Sequence, residues 1–190
     1  MRTIDDDKKD YMREHLHYEI EMLRFTHDRL KSISSQMLAN ALMESFVVHA
    51  RNLMDFFYNQ LDPKCFSAAD FLPTGDPAAQ KASFGDAGKA YGLVHNQTLH
   101  LGQRRPTLDK DKVGPDERQT LRDAIESQIP AFEAALLSDY KTIWDETKRR
   151  SEAEKKRQAE MLQFSSGTPT ATGASHGVTG PDDPNRSRLK

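Results

Sequence analysis

Cysteine is almost absent from this chain of 190 residues, in which Cys65 is the only one. A single cysteine excludes an internal disulfide and a thiolate-rich zinc site within one chain. An excess of charge of one sign is also lacking, because 27 basic and 29 acidic residues leave a formal net charge of -2. This balance removes the global field by which strongly charged proteins attract nucleic acids or membrane surfaces. Any such binding must come from a local patch.

Long apolar runs are missing as well. The first fifteen residues lack the apolar core of a signal peptide, and no segment elsewhere is apolar for long enough to cross a bilayer. We therefore expect a cytoplasmic protein with no membrane partner. The sustained two-residue alternation that strands need is not present either. Four segments have helical periodicity, so the sequence predicts an all-α fold, a four-helix bundle-like single domain over residues 4–147.

Capping signals and apolar stripes set the limits of the four predicted helices. They run from residues 3–7 to about 34, from about 35 to 60, around the glycines at 85, 88 and 92, and from Pro115 onward. The apolar stripe of the fourth helix predicts its core positions as Leu121, Ile125, Phe132, Leu136, Tyr140 and Ile143. Acidic residues lie near the start of the first predicted helix and directly after Pro115, as is typical of helix N-termini. The three glycines share one face, which predicts close packing against a neighbouring helix.

Composition changes near the C-terminus. Residues 148–164 alternate acids and bases with few apolar residues, which predicts a solvated, charged helical extension. Residues 165–190 are rich in glycine, serine, threonine and proline and offer almost nothing to bury. We expect that segment to be a disordered tail.

Polar residues interrupt the apolar faces of the first two helices. His49 lies at the edge of the apolar arc of the second helix, with Asn52 on the same stripe. On another flank, Arg51 precedes Asp55 by four residues, a spacing that permits an ion pair. His27 points inward from the first helix. These two histidines and one from the third helix would suit a metal site, whereas ordinary buried, hydrogen-bonded histidines are the alternative.

The segment HNQTLH, residues 95–100, carries the most distinctive polar pattern. Asn96 and His100 share a helix face, and Arg104 follows one turn later with Arg105 beside it. An imidazole can move a proton to or from a ribose oxygen, while a guanidinium offsets phosphate charge, so the group suits RNA cleavage. A solvent-exposed helix end is the alternative, because histidine and arginine are also favoured there.

This segment resembles the signature of the HEPN family, small all-α proteins with the motif Arg, four to six residues, His, very often Arg-Asn-x-x-x-His. The chain keeps Asn96, the spacing and His100, but it has His95 where the family has arginine. The segment ESFVVHARNLMDFF, residues 44–57, also resembles the long helix that packs against the motif helix in that family. The likeness covers about residues 11–140 as a bundle.

The resemblance implies a function. HEPN proteins usually dimerise so that two motifs face one cleft, active members cut RNA without a metal ion, and many belong to bacterial toxin–antitoxin or anti-phage systems. We therefore expect a homodimer that acts on RNA without a cofactor and has an antitoxin-like protein partner. His100 would be the general acid or base and Asn96 its orienting partner, with Arg104 or Arg51 replacing the missing arginine. The remaining polar residues would bind substrate: His95, Asn52 and Arg105.

Two other functions stay open. Inactive HEPN relatives keep the bundle and serve as dimerisation or RNA-binding modules, which makes a non-enzymatic helical interaction module the main alternative. The segment HLGQ, residues 100–103, also resembles metal-binding helical bundles of the DinB-like kind, in which the histidines would be metal ligands.

Overall fold

A computed structural model describes residues 3–58, 65–74, 85, 87–99 and 112–165, without the side chains of 95–99 and 161–165. Within these ranges every regular element is helical, so the fold is all-α, as the sequence predicts. In chain order the elements are α1 (Ile4–Asp10), a π-helical segment (Tyr11–Leu16), α2 (His17–Arg29), α3 (Gln36–Tyr58), a 3-10 helix (Ala68–Phe71), α4 (Ala87–Leu99), α5 (Pro115–Ala135) and α6 (Ser138–Ser165).

The first predicted helix begins where expected and ends early. The hydroxyl of Thr3 accepts the amide hydrogen of Asp6 at 3.2 Å, and the Asp6 carboxylate accepts that of Thr3 at 2.9 Å, which forms a capping box. The backbone stays helical from α1 through the π-helical segment into α2. It ends at Arg29 and not near residue 34, because the amides of Lys31 and Ser32 close tighter turns onto carbonyls three residues back.

Helices α2 and α3 pack against each other in antiparallel orientation. Glu19, early in α2, contacts His49 in the second half of α3, whereas His27, late in α2, lies beside Phe46. The predicted second helix is confirmed, with one face in the core. Its buried residues are Phe46, Val47, His49, Ala50, Leu53, Met54, Phe56, Phe57 and Tyr58.

The fourth predicted helix is two helices in the structure. Its N-terminus at Pro115 is confirmed, and Glu117 accepts the amide hydrogen of Gly114 at 2.9 Å. The helix breaks after Ala135, because the amide of Leu137 donates to the carbonyl of Phe71 at 3.1 Å instead of continuing α5. The core positions predicted across this break are all buried: Leu121, Ile125, Phe132, Leu136, Tyr140 and Ile143.

Glycine does not serve the close packing that its spacing predicts. Gly85 precedes α4 and has a left-handed φ of 48°, a conformation that glycine adopts without strain. A Cβ placed on Gly92 would meet no atom within 4 Å in the described part of the chain. Among the described residues, no close helix approach is therefore found at these two positions.

Contacts divide the chain into two units, Met1–Glu152 and Ala153–Lys190. The first contains the hydrophobic core. The boundary falls within α6, whose residues 152–160 are all exposed, in keeping with their charged sequence. The expected disordered tail lies outside the described residues apart from Ser165.

Candidate functional site

The motif segment lies on and just after α4. Residues 95 and 96 belong to its helical backbone, but the side chains of His95 and Asn96 are outside the described part of the chain. His100, Arg104 and Arg105 lie outside it altogether. The expectation that His100 lies close to an arginine side chain therefore stays a prediction.

Helix α3 meets α4 through an aspartate. The hydroxyl of Tyr91 in α4 donates a short hydrogen bond to Oδ1 of Asp55 in α3. The other oxygen, Oδ2, lies 3.6 Å from Nε of Arg51, which confirms the ion pair expected from their four-residue spacing. The side chain of Asp55 is 15% exposed and that of Arg51 is 33% exposed, so Arg51 is the more accessible residue of the pair. This polar flank of α3 thus faces the helix that carries the motif.

The tyrosine is fixed as the donor in this contact. Burial, and then the hydrogen bond to Asp55, raises the pKa of Tyr91 to about 12. The phenol is therefore protonated at neutral pH and donates to Asp55 in this contact. One helical turn along α4 from Tyr91 comes position 95, the residue that the sequence resemblance aligns with the arginine of the HEPN motif.

A second polar cluster joins α2 to α3. Nδ1 of His49 lies 2.7 Å from Oε2 of Glu19, and the amide of Asn52 donates to both Glu19 oxygens at 3.3 Å. The ring of Tyr18 packs edge-on against the His49 ring, with 5.5 Å between centroids. The side chains of His49 and Glu19 are 10% and 17% exposed, so the pair is only partly screened by solvent.

The Glu19 contact determines what His49 can do chemically. A carboxylate that accepts from Nδ1 favours the tautomer whose Nε2 lone pair is available, the arrangement used by histidines that move protons. Nε2 of His49 has no hydrogen-bond partner among the described residues. His49, Asn52 and Asp55 follow one another along α3 at steps of three residues. On an ideal helix the first and the last of them are therefore separated by roughly 9 Å along the helix axis. Asn52, which belongs to the cluster with Glu19, thus lies between His49 and Asp55 along α3.

His27 has a structural role in a third cluster. Nη1 of Arg122 in α5 lies 2.7 Å from both Nδ1 of His27 and Oδ1 of Asp28. Burial lowers the pKa of His27, and the positive charges of Arg122 and Lys31 act in the same direction. A neutral His27 accepts a hydrogen bond from Arg122 and ties α2 to α5.

The histidines do not form a metal site in the described part of the chain. His27 and His49 have separate partners, and no group of three or more histidine, cysteine, aspartate or glutamate side chains described there could hold a metal ion. A third ligand from His95 or His100 lies outside those side chains.

Two residues of these contacts, Glu19 and Tyr91, were not identified from the sequence. Glu19 borders the apolar stripe of α2 formed by Leu16, Ile20 and Leu23, and a carboxylate beside such a stripe indicates a polar partner on the next helix. Tyr91 falls in a helix rich in glycine, where a large polar ring is the group best able to reach a neighbour.

The comparisons with known proteins identify no relative. No protein-family model matches the chain, and no curated protein and no solved structure matches it either. Within the described residues, no helix combines the length and hydropathy needed to span a bilayer.

Proposed function

We propose that this chain is a HEPN-like, RNA-directed protein that acts as a homodimer and cleaves RNA without a metal ion. His100 is the general acid or base, Asn96 orients it, and Arg51 takes the place of the arginine missing at position 95. The polar residues that would contact RNA beside them are Asn52, His95, Arg104 and Arg105.

The contact between the Arg51 ion pair and α4 carries this proposal. Arg51 is on α3, but Asp55 connects it to Tyr91 on the motif helix. A guanidinium beside that helix can stabilise the phosphate charge that develops during RNA cleavage. The carboxylate of Asp55 neutralises much of this charge in the free protein, so the phosphate also needs Arg104 and Arg105.

The chemistry needs two proton transfers and no metal. A base removes the proton of the ribose 2′ hydroxyl, whose oxygen then attacks the adjacent phosphorus, and an acid protonates the departing 5′ oxygen. One histidine in each of two facing motifs supplies one base and one acid. An active nuclease of the toxin or anti-phage type also requires control, for which the proposal includes an antitoxin-like protein partner.

Incubation of the full-length protein with mixed-sequence RNA in EDTA tests the proposal. Loss of a positioned acid or base costs about 10²- to 10⁴-fold in rate, so His100→Ala should abolish detectable cleavage. His15→Ala is the matched control, because His15 is an exposed histidine in the π-helical segment, outside α3 and α4. Equal cleavage by wild type and His100→Ala contradicts the assignment of His100.

One observation favours the non-enzymatic interaction module as a second candidate. Large apolar side chains are exposed on the two helices that pack together, at Tyr18 and Phe25 on α2 and at Leu38 and Val48 on α3. Such a surface is typical of an interface with another protein. RNA binding without cleavage would identify an RNA-binding module, and absence of both would contradict any RNA-directed function.

A further inference from the structure

Ser45 lies one helical turn before His49 on α3. Residues four positions apart on a helix have Cβ atoms about 5–6 Å from each other, and helical side chains lean over the preceding turn. The imidazole of His49 is therefore within reach of the Ser45 hydroxyl. Neither Oγ of Ser45 nor Nε2 of His49 bonds to another described residue, and neither is buried without a partner, so both contact solvent.

The hydroxyl of Ser45 is available for chemistry. In an α-helix a serine or threonine hydroxyl often donates to the carbonyl three or four residues back, which occupies its proton. Several hydroxyls on the described helices do so, namely those of Thr26, Thr120, Ser127, Thr142 and Thr147. Among the same residues Ser45 makes no such bond, so its proton can pass to an acceptor beside it.

Glu19, His49 and Ser45 follow the order of groups that activates a serine nucleophile. The 2.7 Å contact between Glu19 and Nδ1 of His49 leaves Nε2 free to take the Ser45 proton. The Glu19 carboxylate then offsets the positive charge that the ring gains. We propose that these residues form an acyl-transfer site, with Ser45 as the nucleophile, His49 as the general base and Glu19 as the positioning residue.

Charge around this site determines the class of substrate. Within the part of the chain that the structure describes, no lysine or arginine pairs with Glu19, and Glu44 is an exposed carboxylate on the same side of α3. These carboxylates repel phosphate esters and other anions, whereas an uncharged ester avoids that repulsion. Tyr18 and Val48, 53% and 47% exposed, offer apolar surface beside His49. The substrate is therefore an uncharged ester with a short acyl or aryl group.

The reaction transfers the acyl group to the protein and then to water. Oγ of Ser45 attacks the carbonyl carbon of the ester while Nε2 of His49 takes the hydroxyl proton. The bond from that carbon to the alcohol oxygen breaks, and the imidazolium gives its proton to the departing oxygen. Water, deprotonated by the same imidazole, then cleaves the acyl–serine ester, which frees the carboxylic acid and restores Ser45.

Hydrolysis of p-nitrophenyl acetate by the full-length protein tests the site. Ser45→Ala and His49→Gln should each lower the rate about 10²-fold or to that of buffer, because a positioned nucleophile or base is lost. Alanine is the best helix former, so Ser45→Ala keeps α3 intact. The matched controls are Ser127→Ala, because the Ser127 hydroxyl donates to a carbonyl, and His15→Gln, because His15 is exposed elsewhere. Both should keep the wild-type rate.

Glu19→Gln separates positioning from folding. Its amide oxygen can still accept from Nδ1 of His49, but it cannot offset the charge of the imidazolium. The value of kcat should therefore fall while KM stays close to that of wild type, because the lost interaction strengthens only in the transition state.

An uncharged alkyl fluorophosphonate identifies the nucleophile, since it forms a bond from phosphorus to an activated serine oxygen with loss of fluoride. Peptide mass spectrometry should find the label on Ser45 in wild type and no label there in His49→Gln. A label on another residue, or wild-type hydrolysis no faster than that of Ser45→Ala, overturns the inference. Cleavage of RNA by His100 is independent of Ser45 and Glu19 and is judged in its own assay.

Discussion

Nδ1 of His49 in α3 lies 2.7 Å from a carboxylate oxygen of Glu19 in α2. The same carboxylate accepts the amide hydrogens of Asn52, so a single acidic side chain orients two polar groups of the neighbouring helix. Along α3, His49 lies one turn before Asn52, and Asp55, which contacts Tyr91, lies one turn after it. Polar groups therefore connect α3 to α2 and to α4.

Replacement of Glu19 should destabilise the fold. Glu19→Ala leaves His49 and Asn52 without their acceptor in a partly buried position, and we expect a loss of about 1–3 kcal/mol in the free energy of unfolding. Urea denaturation followed by circular dichroism measures it. Glu146→Ala removes an exposed carboxylate from α6 and should stay within about 0.5 kcal/mol of wild type. Equal midpoints for the two variants would show that the α2–α3 cluster adds no stability.

Tyr91→Phe should weaken the contact between α3 and α4. The loss of one hydrogen bond costs about 1 kcal/mol, visible in the same urea experiment. Burial raises the pKa of Tyr91 to about 12 from its usual value of 10.0, so the folded state holds the proton more tightly than the unfolded state does. Its contribution to stability is complete below pH 10 and is lost as pH rises from there toward 12. The stability of Tyr91→Phe should accordingly fall less than that of wild type over this alkaline range.

His27 should make the fold sensitive to mild acid. Burial lowers its pKa below the usual value of 6.5, so the unfolded chain takes up a proton at this site before the folded chain does. Stability is then lost as pH falls through 6.5, and the loss stops only below the folded-state pKa. Arg122 and Lys31 oppose the protonated form, whereas Asp28 favours it.

The variant His27→Gln isolates this effect. Its amide oxygen can still accept from Arg122, but it does not titrate. Between pH 7.5 and pH 5.5 the urea midpoint of wild type should drop further than that of His27→Gln, while His15→Gln should behave as wild type. Identical drops in all three proteins would assign the acid sensitivity to other groups.

Local patterns in the sequence were sufficient to predict the helices and much of the core. Phe132 and Tyr140 are buried as predicted, because burial on a helix follows its own periodicity. The break between α5 and α6 was not predictable in this way, since it depends on the carbonyl of Phe71, far away in the sequence. The sequence was therefore sufficient to predict the fold class but not the boundary between α5 and α6.

The same division applies to the candidate site. The ion pair of Arg51 with Asp55 was predictable because both residues lie on one helix, four positions apart. The partners Glu19 and Tyr91 were not, because only the packing of α2 and α4 against α3 determines which side chains meet. The edge position of His49 indicated that it needs a polar partner, without indicating which one.

We propose that Arg51, held beside α4 by Asp55 and Tyr91, serves an RNA site. The most direct test is the affinity of the full-length protein for a fluorescent single-stranded RNA over a series of salt concentrations, for wild type and Arg51→Gln. Arg13→Gln is the control, because Arg13 also pairs with an aspartate on its own helix. If Arg51 contacts a phosphate, the slope of log affinity against log salt should become shallower by about 0.7 in Arg51→Gln and stay unchanged in Arg13→Gln. Equal slopes in all three proteins, or no RNA binding by wild type, would contradict the claim.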